Sequence, residues 1–372
     1  MPQHFTVESQ DGEARAATLQ TRRGPVQTPV FMPVGTQATV KAMTPAELES
    51  LGAQIILGNT YHLHVRPGEK LIARLGGLHR FMAWDRPILT DSGGYQVFSL
   101  AKLRKITPEG VHFQNHLDGS PTFIGPETSM EIQRDLGSDI VMLFDECPPH
   151  PCSHADADKS LDLTLAWAKR CRAWWDAQPQ EGRPLVFGIV QGSSHADLRE
   201  KSARALVDIG FDGYAVGGVS VGEPEPEMFA AIENAVPFLP KDHPRYAMGL
   251  GTPPQIVEMI ARGIDMFDCV LPTRLARNGT AFTADGTLNL KNAPFAEDSS
   301  PIEEGCACAA CRDFSRAYIR HLVKAEEILG LRLISMHNLH FYLNLARTAR
   351  ERILEGSFEE FRRQFTARYL AR

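Results

Sequence analysis

No apolar run in this 372-residue chain approaches the roughly 18 residues that a bilayer-spanning helix needs. The N-terminus, "MPQHFTVESQDGEARAATLQTRRG", is polar from the start, so neither a membrane span nor a secretory leader is expected and a cytoplasmic location is. Positive charge is also short: 39 Lys and Arg face 45 Asp and Glu, a formal net charge of −6. That excludes bulk attraction to nucleic acid or anionic lipid, and any RNA contact must come from local patches. Three such patches exist: "KLRK" at Lys102 to Lys105, Arg274 with Arg277, and the Arg-rich end "RRQFTARYLAR". Cysteine is scarce and odd in number, seven in all, with Cys306, Cys308 and Cys311 inside one short stretch. A disulfide framework does not fit that count. Internal repeats, low-complexity tracts and flexible linkers are absent, which leaves one domain with insertions.

What is present is a rhythm. An N-terminal stretch ("FTVES", "ARAATLQT", "PVFMPV") alternates like antiparallel strands, and eight apolar runs follow: "AQIILGN", "RPILTDSGG", "DIVMLFDE", "LVFGIVQG", "DGYAVGG", "RYAMGLG", "IDMFDCVLP" and "LRLISMHN". Between most of them lie helix-like segments with apolar residues at i, i+3, i+4 spacing, such as Met130 to Leu136, Leu198 to Ile209 and Ile256 to Ile264. Eight buried strands alternating with helices predict an α/β fold, a (β/α)8 TIM barrel rather than an open sheet. Polar residues and glycines stand where the runs stop, at Asn59, Asp91, Asp145, Gln191, Gly218, Gly249, Asp268 and His337. In a barrel those are the strand C-terminal ends, where active sites are built. Two connections are too long for barrel loops: Val97 to Gly125, with a hairpin around "HLDGSP", and Pro272 to about Gly330.

Several constellations carry chemistry. "CACAAC" puts three thiolates in one loop, able to converge on a tetrahedral zinc ion with a fourth ligand from elsewhere. His321, His337 and His340 are the nearby choices, and four protein ligands would make the site closed and structural. "YHLH" offers His62 and His64 to a catalytic metal, but that reading needs histidines at later strand ends, which carry Gly218 and Gly249 instead. "ILTDSGGYQVFS" ends a strand with Asp91, followed by a glycine pair that lets backbone approach a ligand closely. With Asp145 of "FDECPP" and Gln191 of "IVQGS", it gives two carboxylates and an amide facing one cavity, which suits the hydrogen-bonding edge of a planar base such as guanine. In "MFDCVLPTRLARNG", Asp268 and Cys269 are adjacent, and successive strand side chains point to opposite faces. Burying an unpaired carboxylate is costly, so Asp268 belongs in the polar cavity and Cys269 among the packing on the other side.

Taken together, "DSGGYQ", "FDEC", "GIVQGS", "GFDGYAVGG", "MGLGTP", "GIDMFDCVLPTRLARNG" and "CACAACRDFSRAYIRHL" resemble a bacterial tRNA-guanine transglycosylase, in order and spacing, over essentially the whole chain. The resemblance implies exchange of the anticodon wobble guanine of certain tRNAs for 7-aminomethyl-7-deazaguanine, in queuosine biosynthesis, by double displacement through a covalent enzyme–RNA intermediate. It implies Asp268 as nucleophile and Asp91 as general acid/base. Ser92, Gly93, Gly94, Asp145, Gln191, Gly217, Gly218 and Val219 would line the base pocket, with Tyr95 and Met248 sandwiching the base. RNA contacts are implied for two segments: Gly249, Leu250, Gly251, Thr252, Pro253, Pro254 and Gln255, and Thr273, Arg274, Leu275, Ala276 and Arg277. His337 becomes the fourth zinc ligand, in a zinc-binding subdomain at 286–345 inserted into a barrel that spans 1–372, and a homodimer is implied. Val219 stands where the family often has Leu, a smaller wall at a position whose backbone carbonyl would receive the aminomethyl group. Val221 and Cys147 fit the bacterial pattern, and with the sequence stopping at Arg372 the extra RNA-binding domains of archaeal relatives are not expected. Two rivals differ in class: a zinc-dependent barrel hydrolase using His62 and His64, and a non-catalytic RNA-binding zinc protein.

Overall fold

In the computed structural model, which describes residues 4–100, 104–179 and 181–371, strands β1 (Phe5–Asp11), β2 (Ala14–Thr21) and β3 (Gly24–Thr28) form an antiparallel sheet. Eight parallel strands then close a barrel: β4 (Val30–Gly35), β5 (Ile56–Gly58), β6 (Ile88–Thr90), β10 (Ile140–Met142), β11 (Leu185–Val190), β12 (Gly213–Val216), β13 (Arg245–Ala247) and β14 (Met266–Cys269). The ring closes by pairing β14 with β4, Asp268 opposite Met32. Helices cover the outside, so both faces of each barrel strand are buried; every residue of β4 and β11 is, which is why these runs read as continuously apolar.

Two elements differ from the sequence expectation. "PVFMPV" is not a strand of the antiparallel sheet but supplies the first barrel strand, β4, and the sheet takes β3 as its third member. "LRLISMHN" is not the eighth strand; it lies in the helix Ile328–Glu355. Its buried positions, Gly330, Ile334, His337, Phe341, Leu345, Ala349 and Ile353, repeat every three to four residues, and eight residues were too short a window to reveal that period. The barrel count of eight survives because the two errors offset each other. This helix also pins the antiparallel sheet: Arg350 Nη1 donates to Ala17 O at 2.8 Å and Thr28 O at 2.7 Å.

Both long connections are insertions. The first holds an antiparallel sheet, β7 (Arg104–Thr107), β8 (Gly110–Gln114) and β9 (Pro121–Ile124), with the expected hairpin at its β8–β9 turn. Asn115 Oδ1 shapes that turn by accepting from Leu117 N and Asp118 N. The second begins with the hairpin β15 (Thr280–Thr283) and β16 (Gly286–Asn289), continues through the cysteine loop, and adds helices Ala309–Asp313 and Arg316–Lys324. Leu288, Leu290, Ile302, Ile319, Leu322 and Ile334 give it a small apolar core of its own. Among the described residues no helix is long and apolar enough to cross a membrane.

Candidate active site

The C-terminal ends of β6, β10, β11, β12, β13 and β14 gather the polar residues of one site. Asp91 follows β6 directly. Its Oδ1 accepts from Thr60 N at 2.8 Å, and its Oδ2 from Asn59 Nδ2 at 2.5 Å and Gln96 Nε2 at 2.9 Å. Burial pushes its carboxyl up to about 6 against the pull of those donors, and the nearby Asp268 charge adds to the rise. Asp145 accepts from Ser92 Oγ at 2.9 Å and Gln191 Nε2 at 2.7 Å; burial raises it too. The tight glycine turn after Asp91 has a steric reason, since a Cβ on Gly94 would stand 2.6 Å from Asp145 O.

Asp268, on β14, points into this site. Its Oδ1 accepts from the Tyr246 hydroxyl and from Gly249 N at 2.8 Å, leaving Oδ2 without a partner among the described residues. Burial raises its carboxyl, opposed by those two donors. Cys269 is buried on the other face, its Sγ 3.3 Å from Gly251 O, and burial drives its thiol far up, so it stays protonated. Strand alternation separates acid from thiol as the sequence predicts.

A floor of glycine backbone completes the site. Gly218 has φ +61°, and a Cβ there would meet Gln191 Oε1 at 2.4 Å. Gln191 Oε1 is buried and accepts from no described residue, an open acceptor beside the glycine turn. Val219 is buried, Met248 half-buried, and Tyr95 lies on the rim, 51% exposed.

A separate cluster brings Cys306, Cys308, Cys311 and His337 together, with one ligand atom of each within 4.8 Å of the others. His337 Nδ1 lies 3.6, 3.8 and 3.2 Å from the Sγ atoms of Cys306, Cys308 and Cys311. Those are the edges of a tetrahedron around one ion with bonds of about 2.0–2.3 Å. The other ring nitrogen, Nε2, donates to Phe282 O at 2.6 Å, which leaves Nδ1 free to ligate. Four residues able to hold a metal ion are thus assembled, and His337 reaches them from a helix, not from a strand end. His340 Nδ1 lies 3.4 Å from Cys306 Sγ but outside that set of four.

A match along the chain decides the family. Residues 10–371 fit the family model described as queuine tRNA-ribosyltransferase. The chain belongs to the queuine tRNA-ribosyltransferase family. Proteins of that name from Desulforudis audaxviator (56% identical over 365 residues, 98% of this chain and 97% of that one) and Zymomonas mobilis (54% over 369, 99% and 96%) are among its relatives. One from Staphylococcus aureus is 54% identical over 367 residues, covering 99% and 96%.

Within this chain the expected RNA segments fall unevenly. Arg274 and Arg277 are exposed and have no ion-pair partner among the described residues, whereas three arginines of the Arg-rich end are paired: Arg362 with Glu258 and Glu359, Arg363 with Glu360, Arg368 with Asp285; Arg372 lies outside the described residues. Of the "KLRK" patch, Lys102 and Leu103 lie outside the described residues. Gly249 is exposed and Thr252, Gln255 and Leu275 are half-exposed, while Leu250, Gly251, Pro253, Pro254, Thr273 and Ala276 are buried. Thr252 and Gln255 cap the helix Pro253–Ala261 reciprocally, which explains their spacing without a ligand. The histidine pair of "YHLH" is split: His62 packs edge-on against His116, and His64 bonds Glu69 at 2.8 Å. No metal cluster among the described residues includes them. Sequence reasoning missed Tyr246, Thr60 and Gln96. Tyr246 had a signal, as the one hydroxyl inside the run "RYAMGLG"; Thr60 and Gln96 act from turns whose direction only the fold sets.

Proposed function

We propose that this protein is a tRNA-guanine transglycosylase exchanging the wobble guanine of specific tRNAs for 7-aminomethyl-7-deazaguanine, in queuosine biosynthesis. The observation that carries this reading is a set of three buried carboxylates on one barrel rim, Asp91, Asp145 and Asp268, each held by neutral donors alone. Asp268, through its free Oδ2, attacks ribose C1′ as the C1′–N9 bond breaks and its electron pair leaves with guanine. Asp145, Gln191 and the Gly218 backbone read the base, while Ser92, Gly93, Gly94, Gly217 and Val219 shape the pocket and Tyr95 and Met248 flank the ring. Asp91, its carboxyl pushed up to about 6 by burial, delivers the proton guanine needs and takes the one the incoming base gives up. That base attacks from the vacated face, so two inversions retain configuration at C1′. The nucleotide is splayed from the anticodon loop, which costs less than opening a duplex. The loops 249–255 and 273–277 contact the RNA, with Arg274 and Arg277 supplying the charge that the acidic chain otherwise lacks.

Cys306, Cys308, Cys311 and His337 would hold one Zn2+, which with four protein ligands supplies a structural tie and no substrate chemistry. The separate apolar core around the cluster supports a zinc-binding subdomain at 286–345. A cytoplasmic homodimer completes the proposal. Its test is to incubate purified protein with tRNA and radiolabelled guanine. Label should enter the RNA, and a denaturant-resistant protein–RNA adduct should form in wild type but not in Asp268→Asn. RNA that stays unlabelled overturns the reading, and an adduct persisting in the variant moves the nucleophile elsewhere.

A further inference from the structure

A buried arginine stands behind the glycine turn of this site. Arg199, on the helix Ala196–Ile209, is fully buried. Its guanidinium donates to four main-chain carbonyls: Gly217 at 2.7 Å, Ser193 at 2.8 Å, Val190 at 3.0 Å and Gly218 at 3.1 Å. No carboxylate forms an ion pair with it among the described residues, whereas the buried Arg15 and Arg350 pair with Asp265 and Glu8. The two ionisable groups whose charge reaches it do not neutralise it at contact. Burial pushes the Cys147 thiol up to about 12, so it is uncharged, and the Glu223 oxygens accept from Ser220 N and Val221 N. A buried cation without a counter-ion is costly to keep. Arg245 is buried and likewise donates to main-chain carbonyls, but at Leu239, Pro240 and Gly263, whereas Arg199 reaches the glycine turn of the site.

Two of the four carbonyls belong to Gly217 and Gly218. In a trans peptide the N–H points away from the C=O of the same unit, so these two units present Gly218 N–H and Val219 N–H on the side away from Arg199. Neither N–H donates to any described group, and Gly218 sits beside the open acceptor Gln191 Oε1. A carbonyl that accepts from a cation draws electron density through its peptide and makes the amide a stronger donor. We propose that Arg199 is a positioning residue that fixes the Gly217–Val219 turn and strengthens its two free N–H groups toward the negative charge developing on the departing guanine. The proposal rests on the transglycosylase reading above. In this arrangement the cation never touches the base; the two peptide units carry its effect across the turn.

The test compares tRNA bearing guanine with tRNA bearing 8-azaguanine at the exchanged position, the latter a better leaving base because its ring N–H is more acidic. For Arg199→Gln, kcat on guanine should fall on the order of 10–100-fold, as when a donor to a developing anion is weakened, with KM for tRNA nearly unchanged. The loss should be clearly smaller with 8-azaguanine, which needs less help, and Arg199→Lys, keeping the cation, should recover most of the rate. A merely structural arginine would give equal losses for both bases, or a loss in KM alone, or a Lys variant no better than Gln; any of these overturns the proposal. Failure of both variants to give a cooperative thermal melt assigns Arg199 to the scaffold and overturns it as well. Wild-type protein unable to exchange either base would instead defeat the transglycosylase reading itself.

Discussion

Replacing Asp91 with Asn should make the protein more stable at pH 8 while removing its proposed chemistry. Burial moves this carboxyl from 3.8 to about 6, so holding it ionised in the fold costs about 3 kcal/mol at neutral pH. Asp91→Asn removes that penalty. The new amide faces Asn59 and Gln96, whose own amides can turn round; Gln96 Oε1 is buried and has no partner among the described residues, so it can accept from it. One charge-assisted hydrogen bond is weakened, about 1 kcal/mol, leaving a net gain of about 2 kcal/mol. In a chain of this size that is a rise of roughly 2–3 °C in Tm. The folded carboxyl keeps its proton to higher pH than the unfolded one, so folding takes up a proton between about pH 4 and 6, and wild-type stability falls across that window as pH rises. The variant's advantage should therefore be full above about pH 6 and gone below about pH 4. Thermal melts of both proteins from pH 4 to 8 measure this. An advantage independent of pH, or a variant less stable at pH 8, would sink the idea that Asp91 is a strained carboxylate.

Other perturbations follow from single contacts. Tyr246→Phe removes a hydroxyl that holds the Asp268 carboxyl down, so the acid limb of kcat/KM should move to higher pH by roughly half to one unit, and an unmoved limb would uncouple Tyr246 from the nucleophile. Arg274→Ala should weaken tRNA binding and lower its salt dependence by about one counter-ion, with free-base affinity unchanged; loss of both affinities would place Arg274 in the base pocket. Cys308→Ser should lose bound zinc and soluble expression together, and a folded, active, zinc-free protein would contradict a structural metal.

Much of this molecule was legible before its structure. Parallel barrel strands buried on both faces announce themselves as apolar runs, and the polar residue ending each run marks the working rim. Asp91, Asp145, Gln191 and Asp268 were found that way, and they do meet. The reading failed where local pattern is ambiguous: "PVFMPV" looks the same as an edge strand or a barrel strand, and "LRLISMHN" is too short to show its helical period. It failed again where a side chain acts across long sequence separation. Nothing local says that Arg199, one polar residue on a helix face with Leu198, Ser202 and Leu206, reaches back under the glycine turn of β12.

The two ends of the barrel give their acids different partners. At the strand N-terminal ends, Asp139 bonds Arg22 Nε at 2.7 Å and His79 Nε2 at 2.8 Å, and although burial pushes it up these partners hold it below its ordinary value. Asp265, beside β14, is paired with Arg15, and burial still outweighs that partner and leaves its carboxyl raised. These acids tie the N-terminal sheet and a covering helix to the barrel floor. At the C-terminal rim no cation pairs with Asp91, Asp145 or Asp268 among the described residues; amides, hydroxyls and backbone N–H groups hold all three, and all three are raised. An adjacent Lys or Arg would stabilise such carboxylates, but it would also lower their basicity and nucleophilicity, the properties an attack on C1′ and a proton transfer require. Neutral donors position the oxygens and leave the charge available. Arg199, near the base floor, is set behind peptide groups, where it can favour charge on a leaving base without pairing with the acids that attack.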